Sequence, residues 1–206
     1  VPKYNESSKN FENEIEENSP NSKIYFNLEY GILGLTNKYE LISDEFALAG
    51  KIQELIENTN AVKNAFKYVE ITRIKNPETF ISRLRSAYRI KKFGVYFSGT
   101  NPFDADENFH KTMSAYLDAT AGNKGLTEVE GNSLNSETCA IMTASVAATG
   151  NDAFAKLQDS SDEKFVTISL NKNAAKISIP VEIQDDDKKI IDFLMNYYYR
   201  IRRNEV

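Results

Sequence analysis

A chain of 206 residues with 41% hydrophobic and 27% charged side chains has the balance of a folded protein with a real core. Its net charge of -5 gives nucleic acid and acidic membranes no overall attraction, so any such contact has to come from a local patch. One cysteine and one histidine exclude an internal disulfide and a Cys/His zinc site built within the chain.

Residues 1–22 are polar and acidic, with Glu12, Glu14, Glu16 and Glu17, and read as an arm with a short helical turn. The rest, 23–206, reads as a single α+β domain with a minor break near 158–163 ("QDSSDE"). "KIYFNLEYGILGLT" (23–36) is aromatic and β-branched, and predicts two strands joined near Glu29–Gly31 or one long bent strand. Residues 43–66 predict a helix, interrupted at Asn58-Thr59-Asn60.

A repeating order follows. "KYVEITRI" (67–74) predicts a strand, and Asn76-Pro77 starts a helix with Phe80, Leu84, Ala87 and Tyr88 on one face. "FGVYFSG" (93–99) predicts a strand, Asn101-Pro102 starts a helix with Phe109, Met113, Tyr116 and Leu117 inward, and "GLTEVEG" (125–131) predicts another strand. A helix from Asn135 to Ala148 stops at the Gly150-Asn151 cap signal, before a strand at 153–158. Phe165–Leu170 and Ile177–Ile183 alternate as the two strands of a C-terminal β-hairpin. The "DDD" at 185–187 then caps a last helix to about Arg202. The expected fold is α+β: a mixed sheet of about six to seven strands with helices packed on it, the C-terminal β-hairpin followed by a helix.

The chemistry is narrowed mostly by exclusion. No P-loop, G-x-S-x-G or G-x-G-x-x-G pattern occurs. Cys139 lies in "ETCAIMTASVAA", a helix of small and apolar residues that predicts a buried, inert thiol. "TNPFDADENFHK" (100–111) gathers Asp104, Asp106 and Glu107 beside His110. Asp104 and Glu107 have the D-x-x-E spacing of a helix capping box, and Asp106 suits the positive end of the helix dipole. The competing reading uses Asp104, Asp106, Glu107, Glu128 and Glu130 as oxygen ligands for Mg²⁺ in a nuclease; the D…E-x-K spacing of such enzymes is absent.

The most uneven charge lies at 73–92, which holds four of the seven arginines; the other three close the last helix beside "YYYR". On the predicted helix Arg85, Arg89 and Lys92 fall at i, i+4 and i+7, opposite the Phe80, Leu84 and Tyr88 face. Arginine suits phosphate and neighbouring tyrosines suit bases, so Arg73, Lys75, Arg85, Arg89, Lys92, Arg200, Arg202 and Arg203 are candidate nucleic-acid contacts. A solvated helix face paired with the acidic arm or with the "DDD" at 185–187 is the plainer reading of the same charges.

"NPFDADENFHK" followed by "SVAATGNDAFAK" resembles the paired signatures of a bacterial domain family found in phage-defence and mobile-element neighbourhoods. The likeness spans about 65–170 and rests on Asn101, Pro102, Phe103 and Asp104 with Ala147, Thr149, Gly150, Asn151, Asp152 and Ala153. It carries over no catalytic residues. It implies a cytoplasmic bacterial protein whose partner is nucleic acid or a protein of a defence system.

The reading that joins these observations is a non-enzymatic binding module with no cofactor and no membrane contact. Its alternatives are a protein-interaction subunit, homo-oligomeric or bound to a partner through the acidic arm and the aromatic 24–35 segment, and the Mg²⁺-dependent nuclease.

Overall fold

The computed structural model describes residues 2–5, 9–13, 22–36, 45–65, 69–98, 110–170 and 174–203. The chain divides into two compact units, one of residues 1–24 with 34–71 and one of 25–33 with 72–206.

In the first unit the polar N-terminal stretch pairs as an antiparallel hairpin, Pro2–Asn5 (β1) with Asn10–Asn13 (β2), where a helical turn was expected. Ile24–Asn27 (β3) and Ile32–Leu35 (β4), where the chain passes into the second unit at residues 25–33 and back, take the two-strand form of the two expected for this segment, turning through Gly31 at φ 63°. Two helices follow, Glu45–Glu57 (α1) and Asn60–Asn64 (α2). The break between them has a local cause: Thr59 leaves helical geometry and its hydroxyl caps α2 by accepting from the Val62 N–H at 3.4 Å.

The second unit is built on a four-stranded sheet in the order β6-β5-β7-β8. Its members are Arg89–Ser98 (β5), Lys124–Glu130 (β6), Ala153–Gln158 (β7) and Val166–Ser169 (β8), and every pairing is antiparallel. The helices are Glu78–Ser86 (α3), His110–Thr120 (α4), Ser136–Ala148 (α5) and Asp187–Arg202 (α6), with a short 3-10 turn at Val181–Ile183.

One face of this sheet makes the core. Phe93 and Val95 of β5 meet Ala153, Ala155 and Leu157 of β7, and Phe80, Leu84, Cys139 and Val146 of α3 and α5 close over them. Alanines in β7 and α5 leave short side chains between helix and strand, so the two backbones approach closely. Helix α4 lies on the same face: Met113 Sδ accepts from the Thr127 hydroxyl at 3.5 Å, and Thr127 stands opposite Val95. Helix α6 packs on the far end of α5, where Met195, Tyr198 and Ile201 bury with Ala148 and Ile74.

Several expectations need correction. The sheets among the described residues have two, two and four strands, the β1–β2 pair and the four-stranded sheet antiparallel, in place of one mixed sheet of six to seven. Residues 69–74 form no strand. Two of their N–H groups are taken by side chains: Ile71 donates to Gln53 Oε1 at 3.2 Å and Val69 to Glu57 Oε1 at 3.4 Å. The C-terminal β-hairpin is absent too. Residue 174 makes a lone bridge to Lys75, residues 175–180 are irregular, and Pro180 removes a ladder donor from the middle of the alternating run. Helix α3 ends at Ser86, so Tyr88 lies outside it and is exposed, and Tyr116 of α4 points to solvent rather than inward.

Candidate nucleic-acid interface

The face of the four-stranded sheet opposite α3, α4 and α5 collects chemistry that no single stretch of sequence displays. Alternation along the strands sends Lys92, Gly94 and Tyr96 of β5 to this side, with Glu128 and Leu126 of β6 and Lys156 and Phe154 of β7. A β-bulge between Ile90 and Lys92 puts two consecutive lysines on it, since Lys91 and Lys92 both reach Glu130, at 3.6 and 3.7 Å. The cations on this face are thus Arg89, Lys91, Lys92, Lys124 and Lys156, against the carboxylates Glu128 and Glu130.

Aromatic rings lie between these charges. Tyr96 and Phe154 are half-buried, with centroids 6.0 Å apart and planes tilted by 52°. Phe154 lies directly over Gly94, where an added Cβ would collide with its ring. The Lys124 ammonium sits 5.1 Å from the Tyr96 ring centre and that of Lys91 5.9 Å from the Phe165 ring. Leu126 beside Tyr96 is 48% exposed. Lys92 is held by Glu128 at 2.8 Å, and this hydrogen bond raises its pKa.

The eight cations singled out in the sequence do not form one stripe. Because α3 stops at Ser86, Arg85 is helical while Arg89 and Lys92 belong to β5. Arg85 makes a two-pronged pair with Glu137 at 2.9 and 3.0 Å, on the helix side of the sheet. Lys75 is buried and pairs with Asp152. Arg73 is half-buried, Arg200 is exposed, burial lowers the pKa of Arg202, and Arg203 lies 5.7 Å over the Tyr199 ring. Of the eight, Arg89 and Lys92 reach the aromatic face. Lys91, Lys124, Lys156, Tyr96 and Phe154 were missed. Lys91 lay within the basic 73–92 run, and the others were signalled by period-two alternation in β5, β6 and β7, which does not reveal which strands lie side by side.

No known protein family, curated protein or solved structure matches the chain.

The remaining candidates are placed as follows. Asp104, Asp106 and Glu107 lie outside the described residues, so neither the capping box nor the Mg²⁺ set is placed. Glu128 and Glu130 are engaged by Lys92 and Lys91, and among the described residues no group of three or more acidic, His or Cys side chains could hold a metal ion. Cys139 is buried in the core, and burial pushes its thiol up to about 11. The second signature, "AATGNDA", ends α5. Gly150 N–H donates to Ala147 O at 3.1 Å and Asn151 N–H to Val146 O at 2.8 Å, the double bond of a Schellman cap, with Gly150 at φ +76°. Among the described residues no helix is long and apolar enough to cross a membrane.

Proposed function

We propose that the chain is a non-enzymatic binding module that contacts nucleic acid through the face of the four-stranded sheet that carries Tyr96 and Phe154. The observation that carries this reading is the interleaving of lysines with half-buried aromatic rings on one face of an otherwise acidic chain. Phosphate needs cations and bases need flat apolar surfaces, and this face supplies both within a few ångströms. The interaction surface is therefore the sheet rather than the helix face that the spacing of Arg85, Arg89 and Lys92 first pointed to. The likeness over 65–170 supports placing this binding in a bacterial phage-defence or mobile-element system.

Fluorescence anisotropy with labelled oligonucleotides across a salt series tests the reading. Three or four lysine–phosphate contacts predict a slope of log K against log salt of about -2 to -3 on single strands. Lys92→Ala with Lys156→Ala flattens that slope. No binding at low salt sinks the reading.

A second reading, docking of a protein partner or a second copy, is favoured by the β3–β4 segment, where Phe26 is 47% and Leu28 79% exposed. Light scattering on the native chain and on Phe26→Asp/Leu28→Asp decides it. An assembly that the variant loses supports it, and a monomer in both that captures no partner ends it.

A further inference from the structure

We infer that the sheet face selects single-stranded nucleic acid by stacking bases on Phe154 and Tyr96, with the sugar-phosphate chain crossing the Lys92–Lys156 row. This rests on the reading that the face binds nucleic acid, and names what it recognises.

The register places Lys92 directly opposite Lys156 on the neighbouring strand. Like charges opposed across a ladder repel, and an anion between them removes the repulsion. One step along, Phe154 stands opposite Gly94, whose missing side chain lets the ring lie over the β5 backbone while staying half-exposed. Tyr96 is diagonal to Phe154 on the adjacent strand. The 52° tilt means that the two rings do not stack flat on each other, so their faces are not spent on one another. Lys124 already occupies the electron-rich face of Tyr96 as a cation. Its flexible stem can swing that charge to a phosphate when a base takes its place. In a duplex the base faces are covered by their neighbours, so stacking of this kind requires a single strand. The plain alternative, rings that only pack against Gly94 and each other, gives no preference for bases.

The test uses the full chain, labelled oligothymidylate or oligouridylate of about 12 nucleotides, and an abasic sugar-phosphate strand of equal length and charge. Each stacked base is expected to tighten Kd by roughly five- to 150-fold over the abasic strand. Phe154→Leu and Tyr96→Leu each reduce that ratio, while Lys156→Ala weakens both probes alike. Equal affinity of the native protein for the base-bearing and abasic strands overturns the stacking inference and leaves the nucleic-acid reading standing. Binding of neither overturns both. A preference that survives Tyr96→Leu/Phe154→Leu also overturns the inference.

Discussion

Ser98 donates a 3.0 Å hydrogen bond from its hydroxyl to Asn151 Oδ1, joining the last residue of β5 to the turn that ends α5. Asn151 is buried and donates in turn to Thr149 Oγ1 at 3.0 Å, so one amide secures two chain segments. Ser98 leads into the "NPFD" stretch, and Asn151 belongs to "AATGNDA". Asn151→Ala removes both bonds, and the Ser98 hydroxyl loses its acceptor while that of Thr149 keeps its bond to Val146 O. It is expected to cost about 1–3 kcal/mol by urea denaturation. Ser98→Ala in the Asn151→Ala background should add little, because the pair acts as a unit.

Two glycines make a contrast in backbone strain. Gly150 sits at φ +76°, and an added Cβ would come 3.0 Å from both the Arg73 carbonyl oxygen and Thr72 Cβ. Gly150→Ala is expected to destabilise by about 1–2 kcal/mol or more. Gly50, inside α1, has open space around the same position. Gly50→Ala is expected to stabilise by about 0.5–1 kcal/mol, and thermal melting of the two variants checks the opposite signs.

Lys75 and Asp152 are unequal partners, with side chains 10% and 40% exposed. Asp152→Asn leaves a nearly buried ammonium without its counter-charge. Because Asp152 is well hydrated, the expected loss is about 2 kcal/mol, below that of a fully buried pair. Lys75→Met buries an apolar stem in place of the charge and should be close to neutral. In that background Asp152→Asn should cost little, and chemical denaturation of the four proteins measures the coupling.

Glu128 and Glu130 hold Lys92 at 2.8 and 3.7 Å on the proposed binding face. Glu128→Gln/Glu130→Gln frees a cation and removes two charges that repel phosphate. Oligonucleotide affinity is expected to rise severalfold at low salt, with a steeper salt dependence. Unchanged affinity in an anisotropy titration would count against binding on this face.

Asp186 caps α6 by accepting from the Lys189 N–H at 3.1 Å, and this bond lowers its pKa from the ordinary 3.8. A depressed folded-state pKa contributes stability that is complete above 3.8 and is lost as pH falls through the folded value. Asp186→Ala should therefore lower the melting temperature at neutral pH. The difference from the native protein should close at strongly acid pH, where the native carboxyl is protonated.

Features that depend on neighbours in the chain were legible without the fold. The Asn135 and Asp186 caps, the Gly150 stop and the Thr59 break are set by bonds reaching at most five residues. β7 was readable from its alternation, and the buried Cys139 from the small residues around it. Partner choice was not legible. Residues 69–74 and 177–183 carry strand-like alternation, yet the first gives N–H groups to side chains of α1 and the second is broken by Pro180. Arg85, Arg89 and Lys92 have helical spacing, but the chain leaves the helix after Ser86. Local periodicity determines which side chains share a face of one element. Only the register between strands far apart in sequence decided that Lys92 faces Lys156 and that Tyr96 lies beside Phe154, because those contacts are chosen by packing of the whole core.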